Sequence, residues 1–228
     1  MSSDTATVAE EEYLQILFWL QEAGLPMTGA NVARAMQLSA PTVHEMVGRL
    51  ERDGYITRDK DRMIAFTESG AEHAEGIVRR HRLIERFLTD VLGVPWDEVH
   101  EEAERLEHHI SEEFEDKIDE LLGHPTACPH GDPIPTRAGT IAPTTDRPLA
   151  LERSPARLIV RRVSDEDAEL LRHFQALGVT PGTAIELVTQ EPFEGPLVLK
   201  VGGKRVRLTP QAAKKVFVDV ITAGEGVK

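Results

Sequence analysis

A chain of 228 residues, 40% hydrophobic and 29% charged, has a globular composition and room for two or three small modules. Its one cysteine, Cys128, excludes an internal disulfide framework and a cysteine-based zinc finger, and no apolar run approaches the roughly 18 residues of a membrane span. The formal charge of −13 argues against a protein that coats nucleic acid, and with no basic-then-apolar start before Glu12 the expectation is a soluble, cytoplasmic protein without membrane contact.

Tyr13, Ile16, Leu17 and Leu20 recur at i, i+3, i+4 and i+7, which predicts a one-sided helix ending near Gly24 and Pro26. A short helix over 29–36, a turn at 37–39 and a third helix burying Val43, Met46, Val47 and Leu50 follow with helix-turn-helix spacing. Ser39 is a candidate N-cap, and Pro41 is tolerated in a first turn. Residues 55–66 read as two short strands joined by the charged loop Asp59-Lys60-Asp61-Arg62, a wing. Thr67 is placed to cap a long helix running to about Leu92. A second long helix is predicted from Pro95 to Leu121, with the stripe Val99, Ala103, Leu106, Ile110, Ile118, Leu121. Residues 124–155, rich in Pro, Thr and Gly, read as a linker of low order. Beyond it come one helix over 165–178 and period-two strands through Ile185 and Leu187, then Leu197, Leu199 and Val201, then Val206 and Leu208, and last Val216, Val218 and Val220. These suggest a small, partly open β barrel.

The acid is unevenly spread. Trp96 to Leu121 holds twelve Asp or Glu against Arg105 and Lys117, whereas residues 28–66 hold six basic and five acidic side chains. Within the acidic stretch His100, Glu104, Glu107 and His108 would project from a helix within an arc of about 100°. His81 and Glu85 repeat the i, i+4 relation on the preceding helix. Facing helices that present His and Glu are a recurrent way to hold a metal ion. Oxygen and imidazole donors without thiolate suit manganese or iron. A metal-dependent hydrolase needs similar ligands and is the rival class; the DNA-reading pattern ahead of the acidic helix argues against it.

Several motifs together resemble the diphtheria-toxin-repressor family of metal-dependent regulators: Ser39-Ala-Pro-Thr-Val43 with Arg49-Leu-Glu-Arg-Asp-Gly54, Arg80-His-Arg-Leu-Ile-Glu-Arg-Phe-Leu88, Glu98 through His109, and His130-Gly-Asp-Pro-Ile-Pro135. The resemblance spans nearly the whole chain. It implies an α+β multidomain protein: a winged helix-turn-helix over 1–72, a helical dimerisation and metal-binding domain over 73–140, a linker over 141–155 and an SH3-like domain over 156–228. It implies a principal metal site of Glu12, Glu104, Glu107 and His108, a second of His81, Glu85 and His100, and a donor from the SH3-like domain at Asp167, with Glu166 the alternative. Iron-responsive members carry methionine and cysteine where this chain has Glu12 and Glu104, so the resemblance points to Mn(II), with Fe(II) the alternative. One acidic ligand of the two-manganese arrangement corresponds to Gln15, a neutral amide.

The function so implied is a repressor, not an enzyme, that binds palindromic operator DNA as a metal-loaded homodimer and controls metal-homeostasis genes. Metal would join Glu12 of the DNA-reading unit to the acidic helix and fix the recognition helix. Base-reading candidates are Ser39, Pro41, Thr42, His44 and Glu45; Arg49, Lys60 and Arg62 are expected at phosphates.

Overall fold

In the computed structural model, residues 6–165 and 167–221 are described. They form two compact units. The first holds the chain up to His81 with Glu104–Lys117 and Ile134–Ile141; the second holds Arg82–Ala103, Ile118–Pro133 and the chain from Ala142 on.

The first unit opens with α1 (Val8–Glu22), whose capping box pairs Thr7 with Glu10 and whose inner face buries Tyr13, Leu14, Leu17 and Phe18. Next comes α2 (Gly29–Ala35), capped by Thr28. Ser39 accepts a hydrogen bond from the Thr42 amide and starts α3 (Ala40–Arg52), with Pro41 in its first turn. Val43, Val47 and Leu50 of α3 are buried against the same core, and Met46 packs at its edge. The wing is the antiparallel pair β1 (Ile56–Arg58) and β2 (Ile64–Phe66). Thr67 caps α4 (Glu68–Asp90), its Oγ1 accepting from the Gly70 amide at 3.1 Å. Only glycine fits at position 70, because a Cβ there would lie 1.8 Å from the Tyr55 carbonyl oxygen.

The expected second long helix is two helices, α5 (Val99–Leu106) and α6 (Glu112–Leu121). The break has a local cause. Ser111 Oγ accepts from the Phe114 amide, and Glu112, Glu113 and Glu115 fill the first turn of α6, where carboxylates complement the helix dipole. Glu107 and His108 therefore sit in the turn after α5, not on a continuous helical arc.

In the second unit, Leu83, Ile84 and Leu88 of α4, Val99 and Ala103 of α5 and Ile118 of α6 are buried. Its sheet has six strands, β3 (Arg147–Pro148), β4 (Ala156–Val163), β5 (Ala184–Gln190), β6 (Leu197–Val201), β7 (Lys204–Leu208) and β8 (Val216–Val220). Their order is β3-β8-β4-β5-β6-β7, every neighbouring pair antiparallel. The helix α7 (Ala168–Leu177) drives Leu171 and Phe174 into the core formed with Leu158, Val160, Leu187, Leu199 and Val218. A four-residue helix, α8 (Pro210–Ala213), precedes β8.

Part of the stretch 124–155, expected to have low order, is held in place. Cys128 N donates to Asp132 O and Gly131 N to Cys128 O, closing a tight turn, and Val163 N of β4 donates to His130 O. Gly131 has φ 98° and approaches β4 so closely that a Cβ would meet the Arg161 carbonyl oxygen at 2.1 Å. Arg162 reaches from β4 to Asp132 and Asp146. Pro and Gly here build a fixed turn whose backbone groups are paired.

Candidate metal centre

Two groups of donors assemble, one in each unit. In the first unit, Glu107 is 1% exposed, and its Oε2 accepts from His81 Nδ1 at 2.5 Å and from Gln15 Nε2 at 3.2 Å. The His108 ring lies between two carboxylates, Nδ1 2.7 Å from Glu11 Oε2 and Nε2 3.3 Å from Glu107 Oε1. Arg80 spans the group, Nη1 donating to Glu107 O and Nη2 to Glu11 Oε1. The Trp19 ring meets His81 edge-on at 5.7 Å. One helical face of α1 thus presents Glu11 and Gln15, α4 presents Arg80 and His81, and the turn after α5 presents Glu107 and His108. Glu12 and Glu104, both expected here, are exposed; it is Glu11 that reaches His108. On α1 the acidic run Glu10-Glu11-Glu12 turns by about 100° per residue, so adjacent members face different surroundings and sequence alone does not say which faces inward.

In the second unit, Glu85 of α4 is 1% exposed and His100 Nδ1 lies 3.3 Å from its Oε1. His81, the third member of the expected second site, is one turn before Glu85 on α4 and hydrogen-bonds Glu107. Sequence reasoning missed three further donors. His130, fully buried, has Nδ1 3.7 Å from Glu85 Oε2 and 3.8 Å from Asp165 Oδ2, and Cys128 Sγ is 3.9 Å from the same nitrogen. One donor atom each from Glu85, Cys128 and His130 fall within 4.8 Å of one another. His130 Nε2 lies 2.7 Å from Trp96 O, and the indole of Trp96 stacks on the imidazole. Burial on its own would lower the His130 pKa, but the neighbouring Glu85 carboxylate and the Asp165 charge hold it up at about 9. Burial, with Glu85 and Asp132 nearby, pushes the Cys128 thiol well above its ordinary range. A dication among these groups would be held by the Cys128, His130 and Glu85 side chains in their deprotonated forms. The sequence signal was present, since Cys128 and His130 are two residues apart in a motif used only for the resemblance.

Asp167 does something else: its Oδ1 accepts from the Glu169 and Leu170 amides and caps α7. Asp165, two residues earlier, is the carboxylate beside His100 and His130. Glu166 lies outside the described residues.

Of the residues expected at DNA, Ser39, Pro41, Thr42, His44 and Glu45 are exposed on and before the first turns of α3, and Lys60 and Arg62 are exposed on the wing. Arg49 is half-buried, its Nε 3.0 Å from Glu10 Oε1 and 3.5 Å from Asp53 Oδ2.

Comparisons with known proteins divide the chain into three consecutive segments. Residues 5–64 match the iron dependent repressor N-terminal DNA binding domain, 67–136 the iron dependent repressor metal binding and dimerisation domain, and 148–220 the FeoA domain. The iron-dependent repressor IdeR of Mycobacterium tuberculosis is 33% identical over 226 residues, covering 92% of this chain and 96% of its own. The diphtheria toxin repressor of Corynebacterium jeikeium is 32% identical, covering 79% and 85%. Among solved structures, a manganese-dependent transcriptional repressor in complex with manganese is 33% identical with a TM-score of 0.87, covering 93% of this chain and all of that one. The manganese regulator SloR is 30% identical with a TM-score of 0.76, covering 93% and 98%. The chain belongs to the diphtheria toxin repressor and IdeR family of metal-dependent, DNA-binding transcriptional repressors.

Proposed function

We propose that this protein is a Mn(II)-responsive repressor of metal-homeostasis genes, acting in the cytoplasm and binding palindromic operator DNA as a homodimer when metal-loaded. The observation that carries this reading is the contact between Glu11, on the first helix of the DNA-reading domain, and His108, beside the buried Glu107. Glu104, Glu107 and His108 would hold one ion with a carboxylate from the start of α1, Glu12 or Glu11. Glu85, His100, Cys128, His130 and Asp165 would hold a second. The donor chemistry fits a divalent cation, since each group concentrates carboxylates and imidazoles where uncompensated charge is costly. When bound, the ion supplies two positive charges. The carboxylates of α1 and of the turn after α5 then share one partner instead of repelling each other, and α1 fixes the position of α3. In the first group all donors are oxygen or imidazole, which favours manganese over a site with sulfur donors. Structural relatives described as manganese-dependent support the same choice.

Iron is the second reading, favoured by the iron-dependent sequence relatives and by the Cys128 sulfur in the second group. The test is operator binding by fluorescence anisotropy at buffered free Mn(II), anaerobic Fe(II) and Zn(II), with a chelator control. Binding equally tight in chelator rejects metal response, and activation by iron alone reassigns the metal. Light scattering that gives only a monomer mass, with and without metal, rejects the homodimer.

A further inference from the structure

The first turn of α1 carries a second acidic residue that belongs to neither metal group. Glu10 is 3% exposed and both its oxygens are committed. Oε2 accepts from Thr7 N and from Thr7 Oγ1, each at 2.7 Å, and Oε1 lies 3.0 Å from Nε of Arg49 on α3. Asp53, the C-cap of α3, lies 3.5 Å from the same Nε. A buried carboxylate fixed by two donors cannot follow a mobile partner, so it sets where the partner points. Nε is thereby occupied, while the Arg49 side chain remains 43% exposed. Arg49 follows Thr42 and Glu45 at i+7 and i+4, on the face of α3 that carries the base-reading candidates.

We infer that Glu10 is a positioning residue for DNA binding: it orients the Arg49 guanidinium so that its terminal nitrogens meet a backbone phosphate at the edge of the groove entered by α3. The ligand recognised is duplex DNA, through its phosphates. The inference rests on the operator-binding reading above and adds a route from metal to DNA. One helical turn holds Glu11 against His108 and Glu10 against Arg49. Whatever orders that turn also orders a phosphate contact of the recognition helix. An arginine whose guanidinium is preset loses less freedom on binding phosphate than one that must be ordered at that moment.

The test is a double-mutant cycle on the full-length protein saturated with Mn(II), with a duplex selected by the wild type from a random pool. Glu10→Gln keeps the volume but removes the charge and leaves one acceptor oxygen to serve both Thr7 and Arg49, so the charge-assisted bond that fixes Arg49 is lost. Glu10→Gln and Arg49→Ala should each weaken binding about tenfold per subunit, the scale of one hydrogen bond to a charged group and about a hundredfold for the dimer, and the double variant no further than Arg49→Ala alone. Arg49→Ala should also flatten the plot of log affinity against log salt by about 1.8, one phosphate contact in each subunit of the dimer. Arg49→Lys keeps the charge without the Nε donor and, since residue 49 is partly exposed, tests the idea even if Glu10→Gln folds poorly; it should bind as weakly as Arg49→Ala. The inference is overturned if Glu10→Gln weakens Arg49→Ala by a further full factor, if Glu10→Gln tightens binding, or if Arg49→Lys binds like the wild type. Wild-type binding that is unaltered in chelator overturns the metal-responsive reading, while the cycle still judges Glu10. No DNA binding by the wild type overturns both.

Discussion

Replacing Glu107 with Gln separates a metal ligand from a structural ion pair. The wild-type carboxylate accepts from His81 and Gln15 and faces His108 Nε2, with almost no solvent to substitute for any of them. A glutamine of equal volume keeps one acceptor oxygen for His81 and Gln15 but puts an NH2 group in place of the Oε1 acceptor that faces His108 Nε2, and it removes the charge. That costs about 1–3 kcal/mol, offset in part because a buried charge is also removed. For a protein of this size the metal-free melting temperature should fall by roughly 2–8 °C. The effect on metal should be far larger. Changing a residue that merely supports a ligand typically costs about 10–100-fold in metal affinity, and a ligand should exceed that range. Calorimetric Mn(II) titration and operator anisotropy at buffered free manganese measure the two together, with scanning calorimetry for stability. A variant that melts lower yet activates at the wild-type manganese concentration would show that Glu107 is a structural acceptor and that the ion lies elsewhere.

Three further outcomes are expected. Cys128→Ser should weaken Zn(II) or Cd(II) more than Mn(II), because only the softer ions lose a preferred thiolate; equal weakening measured by competition with a chromogenic chelator would remove Cys128 from the ligands. Glu12→Met with Glu104→Cys should move DNA-binding activation from manganese toward iron, and an unchanged manganese response in anaerobic anisotropy would show that these exposed carboxylates do not select the metal. In the metal-free protein the His130 pKa is raised from its ordinary 6.5 to about 9. Its stabilising contribution is therefore fully present below about pH 6.5 and lost as pH rises through 9, a change on the order of 2–4 kcal/mol. Chelator-treated protein should melt lower at pH 9.5 than at pH 6.5, and His130→Asn should flatten that dependence; an equal slope in the variant would assign it to another group.

Where structure was legible in the sequence, short-range physics decided it. Val43, Val47 and Leu50 fall on one face of α3, Ser39 and Pro41 mark its start, and Leu197, Leu199 and Val201 alternate as a strand with one buried side must. The strand β4 escaped notice because its alternation is interrupted. Leu158 and Val160 point inward, then a register shift between Val160 and Arg162 makes Val163 the next buried residue. A bulge inserts one residue and breaks the period on which strand recognition depends. The second long helix was over-extended because its apolar stripe continues through 107–111, while the competing signal, Ser111 ahead of three glutamates, is a capping effect. The metal donors divide in the same way. Glu107 and His108 were singled out by helical spacing, although they lie in the turn after α5. The candidate donors Cys128, His130 and Asp165 join Glu85 only through long-range packing of a turn onto β4, and no periodicity reports that.

The charge balance of the DNA-reading domain leads to a last expectation. A chain of net charge −13 needs local cations to approach DNA, yet two of the six basic residues in 28–66 are already paired, Arg49 with Glu10 and Arg58 with Glu51. Arg34, Arg52, Lys60 and Arg62 are the exposed cations of that segment outside an ion pair among the described residues. With the outer end of Arg49 they allow at most five phosphate contacts per subunit. At about 0.9 per contact, log affinity against log salt should be no steeper than about −9 for a dimer on a palindrome. Binding to unrelated duplex should be weak at physiological salt, because so few cations must work against a strongly acidic molecule. Occupancy of a site then depends on how well the recognition helix is placed, which the metal is proposed to control. A slope well beyond −9, or tight metal-independent binding to random duplex, would mean that cations outside residues 28–66 carry the affinity.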